Sequence, residues 1–159
     1  MAKGSDTYTV ERTAMMAAEP QRVYDQLADF HQWMKWSPWE DLDPHQQRTF
    51  TGAAYGTGAA YAWSGNRKAG RGRMEITDAT PPSAIRIALT FNKPFKSSNS
   101  TAFRLEPHGT GTHVTWTMTG PHSTMTKVMG VFKSMDAMVG PDFERGLARL
   151  KAVVETPAA

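Results

Sequence analysis

The residues best suited to do chemistry in this chain cluster between positions 30 and 44. Trp33, Trp36 and Trp39 fall within seven residues and make up three of the five tryptophans. Each indole is large and stiff, with a single N–H that needs a partner when buried. A cluster this dense either closes a core or lines the mouth of a binding site. Glu40 and Asp41 follow directly. In a partly buried mouth a carboxylate pKa rises and the group can act as an acid or base; on a solvated loop it only caps or hydrates the turn. The sequence leaves both readings open. Signals for other chemistry are weak. The five histidines, at 31, 45, 108, 113 and 122, show no ligand spacing. His108 and His113 flank a hairpin turn and read as solvated imidazoles. The absence of cysteine excludes disulfides, thiolate nucleophiles and cysteine zinc sites. There is no Gly-x-Ser-x-Gly elbow, no His-Glu-x-x-His and no Walker loop. Gly56-Thr-Gly58 lacks the third glycine of a dinucleotide fingerprint. Neither a metal nor a cofactor is expected.

The elements that must position these residues follow from periodicity. Thr7 to Ala17 reads as a strand rich in β formers. Pro20 suits a first helical turn, and Val23, Tyr24, Leu27 and Ala28 follow at helical spacing, predicting a helix over 20–29. A second short helix or turn carries His31 to Lys35. From Gln46 to Gly120 the pattern is strands broken by turns. Tyr61 and Trp63 share a face, as do Gly72, Met74 and Ile76. Ile85, Ile87, Leu89 and Phe91 alternate cleanly with Arg86, Ala88 and Thr90, the mark of a strand with one buried face. Thr101, Phe103 and Leu105 continue the theme, then Val114, Trp116 and Met118. After Gly120-Pro121 the period lengthens. Met125, Met129, Phe132, Met135 and Val139 recur at helical steps, and Phe143, Leu147, Leu150 and Val154 stay in phase. One helix from about Ser123 to Glu155 is predicted, kinked or briefly broken at Gly140-Pro141. One strand, two short helices, about six antiparallel strands and a long last helix define an α+β fold.

With 159 residues, 40% of them hydrophobic and 21% charged, the chain has enough apolar residues for a sizeable core. A net charge of +3 with no basic run beyond Arg67-Lys68 does not point to nucleic acid. The sequence shows no secretory h-region and no membrane-spanning stretch, so a cytoplasmic protein is the expectation. A single domain over 1–159 is expected, with flexible ends at 1–6 and 156–159.

Several local patterns carry a family resemblance. They are Glu19-Pro20 with Val23-Tyr24, the block Asp29 to Glu40, Gly58 to Gly65, Gly70-Arg-Gly72-Arg-Met74-Glu-Ile76, and Gly140 to Leu150. Together they resemble the START-like (SRPBCC) superfamily, in its polyketide cyclase/dehydrase and lipid-transport branch. The resemblance covers nearly the whole chain. It implies a helix-grip fold, a curved sheet of about seven antiparallel strands wrapped around the C-terminal helix with an apolar cavity between them. A cavity of this kind commonly holds about 300–1,000 Å³. The sheet residues expected on its wall are Tyr61, Trp63, Met74, Ile76, Ile87, Leu89, Phe91, Phe103, Trp116 and Met118. The helix would add Met129, Phe132, Met135 and Phe143, with methionine suited to ligands of varied shape. Polar guidance is expected from the Tyr61 hydroxyl and the Trp63 and Trp116 N–H groups, while Arg73, Glu75 and Arg86 alternate toward solvent.

Three functions follow from the resemblance. The first is a carrier or sensor of a hydrophobic small molecule, such as a lipid, polyketide or aromatic metabolite. The second is a cyclase/dehydratase-type enzyme, for which no inward strand position supplies an acid or base. The third is a protein-interaction module like the chaperone regulators. An open sheet edge allows either a monomer or a homodimer. Within the tryptophan cluster, Trp33 is expected to pack as core, and Trp36 and Trp39 to form the cavity rim.

Overall fold

The computed structural model describes residues 7–39, 43, 45–66, 70–93, 97–121 and 135–156, with the backbone alone at Lys93, Ser97, Pro121, Met135, Asp136 and Met138. The alternating segments form seven strands. They are β1 (Thr7–Met16), β2 (Gln47–Gly52), β3 (Ala59–Ser64), β4 (Arg71–Thr80), β5 (Ala84–Lys93), β6 (Ser97–His108) and β7 (Gly111–Pro121). The sheet order is β1-β7-β6-β5-β4-β3-β2, and each neighbouring pair is antiparallel. Strands β2 to β7 form a simple meander, and β1 closes on β7. Register shifts at Arg71/Gly72 and Ile76/Asp78 interrupt the β4–β5 ladder. Such irregularities bend a strand and tighten its twist, which suits a sheet that must curve.

Helix α1 (Pro20–Ala28) starts with its proline in the first turn, where no N–H is required. A 3-10 turn, Gln32–Lys35, follows. Helix α2 (Met135–Glu155) closes the described chain. It packs chiefly on β1, with Phe143, Leu147, Leu150 and Val154 forming its buried stripe. Each such side chain contributes about 1.5–3 kcal/mol when fully buried.

The helix expected from Ser123 to Glu155 is described from Met135 on. The segment 122–134, which includes Met125, Met129 and Phe132, lies outside the described residues. Where the helix is described, it continues through Gly140-Pro141 without a break. Gly140 serves packing here: a Cβ at that position would collide with the Arg12 guanidinium. Arg12 lies across the helix backbone and donates from Nε to Glu144 Oε2 at 2.8 Å.

The C-terminal end of α2 is tied to the β1–α1 junction. Arg22 donates to the Val154 and Thr156 carbonyls, the groups a helix end leaves unpaired. Glu155 Oε2 accepts from the Ala17 N–H at 2.8 Å and from Lys151 Nζ at 2.6 Å. The Ala17 hydrogen bond, followed by Lys151, holds the Glu155 carboxyl below its ordinary pKa. A lowered folded pKa means the contact contributes fully above the ordinary carboxylate value. That contribution is lost as pH falls through the lowered value. The Ala17 amide resonance is therefore expected to titrate with a midpoint below that of a free glutamate and to stop titrating in Glu155→Gln. An Ala17 shift that is insensitive to acid in the parent protein would break this link.

Candidate functional site: the concave face of the sheet

Register sets which side chains share the inner face. Phe50, Tyr61, Met74 and Leu89 are successive cross-strand partners from β2 to β5. Trp63, Gly72 and Phe91 form the adjacent row. Ile76, Ile87, Thr101, Met118 and Val10 form a third, and Ile85, Phe103 and Trp116 a fourth. The rings touch along these rows. Phe50 stacks on Tyr61 with centroids 5.0 Å apart, and Trp63 meets Phe91 edge-on at 5.6 Å. The Trp63 indole lies directly over Gly72, whose missing Cβ would fall 2.6 Å from it and 2.5 Å from the Thr90 carbonyl oxygen. The sheet residues expected on this wall are therefore brought together. Trp63, Phe91 and Phe50 are half-buried and the others buried.

The tryptophan cluster caps the β6–β7 side of the wall. Trp33 donates to the Leu27 carbonyl at 2.9 Å, and Trp36 to the Gln26 carbonyl at 3.3 Å. Both are buried. Trp36 packs 4.6 Å from Trp33 and edge-on to Phe103 and Trp116. Trp33 thus takes its expected core position, but Trp36 lies deeper than the rim, with no exposed surface. The reason is local geometry. Residues three apart eclipse one another in a 3-10 helix, so the turn at Gln32–Lys35 sends both indoles the same way. Trp39 is half-buried, and its N–H reaches Asp142 Oδ2 of α2 at 3.2 Å.

Helix α2 holds this column from the other side. Phe143 stacks on Trp116 with centroids 4.0 Å apart and planes 6° from parallel. Gly146 permits that approach, since a Cβ there would lie 2.9 Å from Pro38 and 3.0 Å from Trp116. Arg145 and Arg149 donate to the Pro38 and Ser37 carbonyls, fixing the loop that carries Trp39. Of the helix residues expected on the wall, Phe143 is in place. Met129 and Phe132 lie outside the described residues, and Met135 opens α2 without a described side chain.

Polar groups on the inner face are few. The Trp116 Nε1, Thr101 Oγ1 and Asn99 Oδ1 atoms are buried and have no hydrogen-bond partner. The Tyr8 hydroxyl points at Met118 Sδ, 3.7 Å away. Burial raises its pKa, with a partly opposing hydrogen bond from Asn99. Arg73 and Glu75 form an ion pair on the exposed face, and Arg86 is exposed. Glu40 and Asp41 lie outside the described residues. Among the described residues, Asp43 is the one buried carboxylate. Its oxygens accept from the backbone N–H groups of His45 and Asn66, which is a structural role. No three His, Asp or Glu side chains converge as metal ligands among the described residues.

Sequence reasoning missed Phe50 and Asn99 on this face. Phe50 alternates with Thr49 and Thr51 in a short strand, a signal that was available. Asn99 had none, because only the β6 register turns it inward. A separate groove of about 740 Å³ runs along the outer side of α1, past Gln21, Asp25, Asp29, Tyr55 and Pro81. It is open to solvent and exposes more apolar than polar surface.

Residues 7–155 match the family model described as polyketide cyclase / dehydrase and lipid transport. Comparison with curated proteins returned no match. Many solved structures share the fold. Protein MLL2253 from Mesorhizobium loti superposes with a TM-score of 0.70 at 15% identity, covering 96% of this chain and 100% of that one. The Aha1 dimer from Colwellia psychrerythraea gives 0.68 at 19% identity, covering 96% and 99%. Protein CV1439 from Chromobacterium violaceum gives 0.67 at 16% identity, covering 94% and 99%. At these identities the likeness speaks for the fold alone.

Proposed function

The chain belongs to the polyketide cyclase / dehydrase and lipid transport family, and from that premise we propose that it binds an apolar small molecule against the concave wall, as a carrier or sensor. The observation that carries this reading is the wall itself. Phe50, Tyr61, Trp63, Met74, Leu89 and Phe91 form a continuous aromatic and aliphatic surface on β2 to β5. The described part of α2 packs instead on β1, at the opposite side of the sheet. A concave apolar lining with few polar groups is the general form of a small-molecule site. A cyclase or dehydratase would need a positioned acid or base. Among the described residues the one buried carboxylate, Asp43, is engaged by backbone N–H groups and is not placed as such a group.

Native mass spectrometry of protein purified from its own source tests this. A retained apolar adduct is expected, lost on organic extraction. The emptied protein should then bind N-phenyl-1-naphthylamine saturably, with energy transfer from tryptophan. No adduct together with no saturable probe binding would overturn the reading.

A further inference from the structure

We propose that the convex face of the sheet, opposite the apolar wall, holds a phosphate-type oxyanion between Arg86, Arg104 and Thr115. A depression of about 210 Å³ lies there, lined by all three. Side chains alternate across a strand, so the neighbours of the inward residues Ile85, Phe103 and Trp116 turn to this outer face. Register arranges them. Arg86 of β5 stands opposite Ala102 of β6, and Arg104 of β6 opposite Ala84 of β5. The two arginines are therefore diagonal neighbours, a spacing of about 7–8 Å. The two alanines complete the square and keep its floor low. Thr115 of β7 is the direct partner of Arg104.

The three groups lack the partners that such groups normally have. Among the described residues Arg86 has no ion pair, and Arg104 Nε comes only within 3.8 Å of Glu106 Oε1. Like charges placed side by side on one sheet face destabilise it, and a shared anion removes that repulsion. Thr115 is only 4% exposed, yet its hydroxyl has no hydrogen-bond partner among the described residues. Buried polar side chains almost always have one, so this exception asks for an explanation.

The donors specify the ligand. A planar carboxylate is filled by the fork of a single guanidinium. Two guanidinium groups and a hydroxyl donate from three sides, which suits the oxygens of a tetrahedral group. The near-double negative charge of a phosphate monoester matches two arginines. Asp78 also lines the depression, directly across β4–β5 from Arg86. Its carboxylate opposes an anion and keeps the affinity modest. A soluble phosphate ester and a phospholipid headgroup offer the same chemistry.

Amide and arginine Nε–H shift titration of the full chain with sn-glycerol 3-phosphate at pH 7.5 tests the proposal, with ionic strength held fixed by sodium chloride. Saturable shifts are expected at Arg86, Arg104 and Thr115, with a Kd of about 1 mM. Arg86→Gln and Arg104→Gln should each weaken binding about ten-fold, and acetate should bind the parent protein about ten-fold more weakly than the ester. Asp78→Asn should tighten binding. Shifts that do not saturate, that acetate reproduces, or that survive in both glutamine variants would overturn the site. Weaker binding in Asp78→Asn would do the same, since it would mean that the depression selects a cation. The thermal midpoint of ligand-free Thr115→Val should equal or exceed that of the parent, while its ester binding weakens. A clear fall would mean that the hydroxyl has a protein partner, and the cradle would be wrong. Co-sedimentation with phosphatidylcholine vesicles containing phosphatidate separates the two sources. Sedimentation lost in Arg86→Gln/Arg104→Gln supports the site and assigns a lipid headgroup; ester binding without sedimentation supports it and assigns a soluble ester. Sedimentation without ester binding would be general attraction to a negative surface and would overturn the proposal.

Discussion

Trp36→Ala is expected to lower the free energy of unfolding by about 3–5 kcal/mol, the range for removing a large aromatic from a packed core. Native domains have only about 5–15 kcal/mol in total, so the variant should be barely folded at room temperature. The reason lies in its neighbours. Trp36 has no exposed surface and touches Trp33, Phe103 and Trp116 at once. Its removal also strands the Gln26 carbonyl that its N–H serves. Denaturant titration measures the effect, and a loss below about 1 kcal/mol would place the indole outside the core. Trp39→Ala provides the contrast. That ring is half-buried at the seam with α2, so its loss should cost less stability.

Gly72→Ala is expected to act on both stability and binding. The conflict is one of space, not of backbone conformation. The added methyl would meet the Thr90 carbonyl oxygen at 2.5 Å and the Trp63 ring at 2.6 Å. The backbone oxygen cannot swing away, so Trp63 must leave its place on the wall. Overpacking of this kind costs about 1–3 kcal/mol. Displacing the ring should also weaken N-phenyl-1-naphthylamine binding by about ten-fold, the equivalent of about 1.4 kcal/mol. Gly56→Ala separates the two effects. Gly56 has open space around it but a φ of 71°, so alanine there costs backbone strain without touching the wall. A Gly72→Ala protein that bound the probe normally would remove Trp63 from the site.

Much of the architecture was legible because its signals are local. Ile85, Ile87 and Leu89 alternate with exposed residues, and period 2 leaves a strand with one buried face as the natural reading. Phe143, Leu147, Leu150 and Val154 recur at helical spacing and become the buried stripe of α2. The inward assignment of Tyr61, Met74, Phe103, Trp116 and Met118 follows from the same alternation. The tryptophan cluster was legible in composition and only partly in depth. Trp33 and Trp36 face the same way because the segment adopts a 3-10 turn, and a spacing of three does not by itself distinguish that turn from a loop.

Which residues are apolar, and at what period, is written along the chain, and with it which faces of the strands and of the last helix turn inward. Which inward residues meet is not written there. Phe103 meets Trp116, and Thr101 meets Met118, because β6 pairs with β7 in one register, and a slip of one residue would turn the whole strand over. Arg12 crosses Gly140, and Trp63 lies over Gly72, for the same reason. These contacts join positions far apart in the chain, where no local pattern links one residue's identity to the other's. Alternation is a property of the strand and is written in the sequence. Register and the seat of the helix depend on how the whole core packs, and so emerge only once the chain is folded.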